Sequence, residues 1–198
     1  MIGRTICRRF IVSRRGVAAI EFAMVMPVLL ILFLSSFDVG NAIIIYLKVR
    51  AATYSLAAIT NQYGTGSTDQ ISTTNMPTIT SAITQMLAPY SSTSAVVTIS
   101  QIKATSNTAA TVSWSYSAGG TALSGSYTGL PSNMAKNSCN NTYPCYFILS
   151  QVSYTYTPLF GSYMTGSLTL SDSLLVTPRT TECVQYNNVP ALSSGKCT

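Results

Sequence analysis

The sequence has no histidine, only five acidic residues and a single tryptophan in 198 residues. Without histidine there is no imidazole to shuttle a proton, so Ser-His-Asp and Cys-His catalysis are excluded. Glu21, Asp38, Asp69, Asp172 and Glu182 are scattered along the chain, which offers no paired carboxylates for acid–base work. No glycine-rich loop leads into a lysine, so the common phosphate cradle is missing too. Charged residues are only 8% of the chain, against about 25% in ordinary soluble domains. Serine, threonine and asparagine take their place, so the polar surface is built from hydroxyls and amides, as suits an assembly or an extracytoplasmic domain. No catalytic residue, cofactor or metal is expected.

The net charge of +6 matters less than where it lies. Arg4, Arg8, Arg9, Arg14 and Arg15 sit in the first 16 residues, and without them six basic residues face five acids. The remaining basic residues form no stripe with interleaved aromatics, so no nucleic-acid partner is expected. Of the five cysteines, Cys7 lies in the basic leader, and Cys139, Cys145, Cys183 and Cys197 lie far downstream. An even distal count fits two disulfides in an oxidising compartment. Local pairing, Cys139–Cys145 with Cys183–Cys197, is the simplest of three connectivities. A zinc site is the rival, but it lacks both a CxxC pair and histidine.

What the sequence does have is one long apolar run. Val17 to Phe37 is 21 residues with a single charge, Glu21, enough for a helix of about 30 Å to cross a bilayer. A carboxylate in such a run is costly and marks a functional position. The arginines before the run favour a cytoplasmic N-terminus. A secretory signal would have a shorter apolar core and would leave Glu21 unexplained.

Beyond Asp38 the apolar positions Val39, Ala42, Ile43, Tyr46, Val49, Leu56 and Ile59 fall mostly three or four apart, which predicts an amphipathic continuation to about Asn61 that packs this stripe on the domain beyond. Pro27 should kink or loosen the helix. Ala19 with Ala23 and Ser36 with Gly40 are small residues four apart, a spacing that permits close helix–helix approach.

Four regions follow: 1–16, a cytoplasmic basic leader; 17–38, a transmembrane helix; 39–61, its amphipathic continuation; and 62–198, an extracytoplasmic α+β domain. In that domain a loop over 64–76 precedes a short helix from Pro77 to Leu87. The period then changes to two. Strands are expected over about 95–104, at the alternating segment 111–116, weakly over 122–127, over 147–157 and from Leu168 to Val176. Residues 130–145 and the tail are read as loop, the tail tied down by Cys183–Cys197. The fold class is α+β, with a long N-terminal helix packed on a small antiparallel sheet.

Two stretches resemble a known family. Arg14-Arg15-Gly16 followed by Val17-Ala18-Ala19-Ile20-Glu21-Phe22-Ala23, with Pro27 beyond, resembles the N-terminus of TadE-like proteins, pseudopilins or minor pilins of the tight-adherence (Flp) pilus. Val152-Ser153-Tyr154-Thr155-Tyr156-Thr157-Pro158-Leu159-Phe160, followed by a last strand ending near Arg179, is similar to a tyrosine-rich strand and Pro-Leu-Phe segment of such chains. Phe22 stands where major Flp pilins usually carry tyrosine.

The resemblance implies a pilin-like fold, cleavage by a prepilin peptidase between Gly16 and Val17, and Glu21 five residues into the mature chain, paired with the N-terminal amine of a neighbouring subunit. Glu21 and Phe22 would then serve assembly. The implied partners are that peptidase, other pilin or pseudopilin subunits, the inner-membrane assembly platform and membrane lipid. The implied location is the bacterial inner membrane with the domain periplasmic, or extracellular within a pilus. The alternative is a bitopic anchor whose extracytoplasmic domain binds a ligand or surface without entering a pilus.

Overall fold

The computed structural model describes residues 16–65, 69–193 and 196–197. Cys7 and the leader arginines lie outside the described residues. The expected long helix is a single element, α1 (Val17–Thr60), unbroken through Pro27 although proline supplies no N–H to the carbonyl of Ala23. From Val17 to Phe33 every residue of it is exposed. Its outer half lies across the sheet, with α2 (Asn75–Gln85) alongside. At the start of α2, Ser72 and Asn75 exchange bonds: each side-chain oxygen accepts from the other's backbone N–H, at 2.7 and 3.2 Å.

The sheet has five antiparallel strands in the order β3-β2-β1-β4-β5. They are β1 (Ala95–Ala104), β2 (Ala110–Ala118), β3 (Ser126–Tyr127), β4 (Cys145–Tyr156) and β5 (Leu168–Val176). The expected α+β architecture is the observed one; β1 and β5 keep the bounds expected for them, and β4 lies within two residues of the expected 147–157. β4, between β1 and β5, is buried on both faces over Tyr146–Ser150. Ile148, Val152 and Tyr154 join a cluster with Ile45, Val49 and Leu56 of α1 and Met76, Ile79 and Ile83 of α2. Phe147 and Leu149 point into a second cluster on the opposite face, with Ile102, Ala104, Val112 and Cys139.

Several expectations are corrected. The loop expected over 130–145 contains a helix, α3 (Ser132–Cys139), which caps the second cluster through Met134 and Cys139. It ends in a tight turn in which Asn140 and Asn141 both have positive φ, 46° and 57°, a conformation asparagine tolerates better than most side chains. The weak strand over 122–127 shrinks to the two residues of β3, because only Ser126 and Tyr127 pair with β2. Strict alternation would put Val112, Trp114 and Tyr116 on one face. Instead Gln101 pairs with Trp114 and Ile102 with Val112, so Ser113 is the extra residue of a bulge. Trp114 and Tyr116 therefore join the helix-side cluster and Val112 the other.

The tail is more than a tethered loop. Cys183 and Val184 are fully buried. The Val184 N–H donates to Gln101 Oε1 at 2.7 Å, and its carbonyl accepts from the Trp114 indole at 2.8 Å. Gln185 and Asn187 bond Gly64 and Ile71 through the backbone. A two-stranded ribbon, β6 (Leu192–Ser193) with β7 (Lys196–Cys197), ends the described chain. Cys139 is bridged to Cys145 and Cys183 to Cys197, with Cα atoms 5.8 and 6.3 Å apart, the local pairing expected.

Candidate functional site

The stripe by which α1 meets the domain differs from the expected one. The buried positions are Asp38, Ile45, Val49, Ala52, Thr53, Leu56, Ala57 and Thr60, a stripe whose spine, from Asp38 through Ile45, Val49, Ala52 and Leu56 to Thr60, steps by seven, four, three, four and four. Val39, Ile43 and Tyr46, expected to pack, are 58, 55 and 39% exposed. The physical reason is that residues 42–47 (Ala-Ile-Ile-Ile-Tyr-Leu) are apolar all round, so periodicity does not choose a face there. The rotation is chosen by a polar residue.

That residue is Asp38. Its side chain is buried against the turn after β4. Asp38 Oδ1 accepts from the Leu159 N–H at 3.0 Å, and Oδ2 accepts from Phe160 and Gly161 at 3.0 and 2.7 Å. Three converging backbone donors match an ionised carboxylate, and such charge-assisted bonds are stronger than neutral ones. The Tyr156 hydroxyl donates to the Asp38 carbonyl at 3.3 Å. Burial, and after it the Asp38 carboxylate, push the Tyr156 phenol above its ordinary value, so it remains a donor. The Phe160 ring meets Phe37 edge-on, with centroids 6.1 Å apart. Farther along, Lys48 Nζ donates to the Ala88 carbonyl at 2.6 Å, a second polar tie between α1 and the domain.

With Asp38 turned inward, the opposite side of α1 is free. Val39, Ile43, Ile44 and Leu47 are each about half exposed or more and continue the apolar surface of the first half outward. Beside them lies an apolar groove of about 380 Å³, walled by Val39, Ile43 and Tyr46, by Tyr156, and by Leu168 and Leu170 of β5. Exposed apolar area on this scale, all on one side, is what an interaction surface looks like.

The residues singled out from sequence all lie on α1. Gly16 is its N-cap, with no side-chain capping bond. Val17, Ala19, Phe22, Ala23 and Ser36 are exposed. Glu21 is exposed as well, and no hydrogen bond or ion pair joins its carboxylate to another described residue. Ser36 donates back to the Phe33 carbonyl. A Cβ built on Gly40 would meet nothing within 4 Å, so the fold of this chain does not itself require glycine there. α1 is the one described helix long and apolar enough to cross a membrane. Among the described residues no group of three or more His, Cys, Asp or Glu gathers as a metal site.

From sequence Asp38 stands only as the last residue of the transmembrane part of the helix, with no role of its own. The available signal was an acid at the very edge of a 21-residue apolar run. It ties α1, whose start carries one stretch of the family resemblance, to Leu159 and Phe160 at the end of the other.

Residues 16–57 match the family of TadE-like proteins. The matched segment opens at Gly16, contains Glu21 and Asp38, and closes within the outer half of α1 at Ala57. It points to a minor-pilin-like protein associated with a Tad pilus, and so to contacts with other pilus components. It does not reach the sheet. No curated protein and no solved structure matches the chain.

Proposed function

We propose that this chain is a pseudopilin or minor pilin of a Tad (Flp) pilus, cut by a prepilin peptidase between Gly16 and Val17 and acting in assembly or initiation of the fibre. The observation that carries the proposal is the uncovered apolar face of α1, which begins in the TadE-like segment and continues past the membrane-length run through Val39, Ile43 and Leu47. A plain anchor needs an apolar surface only within the bilayer. A subunit that packs helix against helix needs it farther out, with small residues such as Ala19, Ala23, Ser36 and Gly40 where backbones approach.

Cleavage would remove the five leader arginines and lower the cost of drawing α1 out of the bilayer. It would also create an ammonium at Val17 for a neighbour's Glu21. Such a buried pair sets register more surely than it adds stability. The basic leader would lie in the cytoplasm of a bacterial cell, and the domain in the periplasm or in the fibre. The assembly platform and other pilin subunits would be the partners.

The test is Glu21→Ala in cells carrying the pilus machinery. The variant is expected to be made, processed and inserted like the parent but to be lost from assembled, sheared fibres. Normal incorporation of the variant would remove Glu21 from the mechanism.

A further inference from the structure

The turn that Asp38 holds has a property its packing does not need. Leu159 is 70% exposed and Phe160 46%, side by side on the surface. Their backbone N–H groups, and that of Gly161, are spent inward on the Asp38 carboxylate. The turn thus presents apolar side chains outward while three of its donors are already satisfied, which lowers the cost of bringing a non-helical segment to the edge of an apolar medium. From Gln151 to Ser171 the chain carries no charge.

The position of the turn along α1 is fixed. From Val17 to Phe37 the helix rises about 30 Å, the thickness of a bilayer's hydrocarbon core. Phe37 therefore marks the level where α1 leaves the bilayer, and the Phe160 ring lies against it. The Leu159–Phe160 turn sits at that level beside the helix, not above it. Aromatic and aliphatic side chains at this depth partition into the headgroup–acyl boundary.

We propose that Leu159 and Phe160 form a second membrane contact, an apolar foot that rests in the interfacial layer of the leaflet through which α1 exits. Asp38 is the pivot: it turns the foot's donors away from lipid and holds the foot level with Phe37. With the helix and the foot both seated, the domain has two points of support and a defined tilt on the membrane before any assembly. The occupant is lipid, because the turn continues the membrane-level surface of α1 itself. The inference rests on α1 crossing a bilayer, and the experiment tests the two separately.

The full chain is reconstituted in two sets of phosphatidylcholine vesicles, with bromine near the headgroup end of the acyl chains to read positions 159 and 160 and near their middle to read position 30. Three variants each add one tryptophan to the parent, whose own Trp114 is buried in the core: Phe160→Trp in the foot, Leu30→Trp in the membrane half, and Asn107→Trp in the β1–β2 turn at the far end of the sheet. The added emission is expected to be quenched at 160 and to be untouched at 107. Leu159→Trp serves the same purpose should the bulkier ring at 160 disturb the clasp. Quenching at 30 but not at 159 or 160 would overturn the foot and leave the membrane helix standing. Emission at 160 that is shielded from water yet not quenched would overturn it in favour of a second copy of the chain. Absence of quenching at 30 would remove both.

Discussion

Replacing Asp38 by alanine tests how the domain is held to the helix. The carboxylate accepts three backbone bonds at 3.0, 3.0 and 2.7 Å and is only 6% exposed. A hydrogen bond to a charged group contributes about 1.5–3 kcal/mol net. Three of them do not simply add, because Leu159 and Phe160 lie at the surface, where water replaces part of what is lost. The truncation is therefore expected to destabilise the 158–161 turn against α1 by about 3 kcal/mol. Amide exchange reads those donors directly. With each 1.4 kcal/mol a factor of ten, the Leu159, Phe160 and Gly161 amides should exchange about a hundredfold faster in Asp38→Ala, in a chain held in nanodiscs. Amides at the centre of β4 should change little. Gly161→Ala is the control: Gly161 has φ −87° and an added Cβ would come no closer than 3.4 Å to Oδ2, so the N–H bond stays and exchange should match the parent. Unchanged exchange at 159–161 in Asp38→Ala would refute the clasp.

The packing of the tail and the two disulfides give three further outcomes. Trp114→Phe removes the donor to the Val184 carbonyl and leaves that buried acceptor unpaired, so urea unfolding should show a loss of about 2 kcal/mol. Replacing Cys183 and Cys197 by serine opens a loop with a sequence separation of 14 and should lower stability by about 3 kcal/mol in the loop-entropy picture. The Cys139–Cys145 loop, with a separation of 6, should give a smaller loss of about 2 kcal/mol in the same titration.

How much of this was legible in the sequence depends on whether local pattern or distant packing decided each part. The helix from Val17 was legible because its apolar run has a single charge, and β1 and β5 were found at their bounds because Val97–Ile99 and Leu168–Val176 alternate. The face that α1 presents to the domain was not legible. Ala42 to Leu47 is apolar on every side, and the choice rests on Asp38 meeting three N–H groups more than 120 residues away. The bulge at Ser113 was hidden for a related reason: 111–116 alternates cleanly, and only pairing with β1 shows the slipped register. α3 was lost because its eight residues are mostly polar, and a short amphipathic helix leaves little signal inside a loop-like composition. The tail was read through its cysteines, whereas Val184 is held as much by Gln101 and Trp114, whose side chains give no local sign of it.

The central claim is that the chain is a processed, pilin-type subunit, and intact mass measures it most directly. The chain is recovered from membranes of cells with and without a prepilin peptidase. The account predicts loss of residues 1–16 only where the peptidase is present, leaving Val17 as the N-terminus. A full-length chain in the presence of the peptidase would contradict it and favour a membrane-anchored domain outside any pilus.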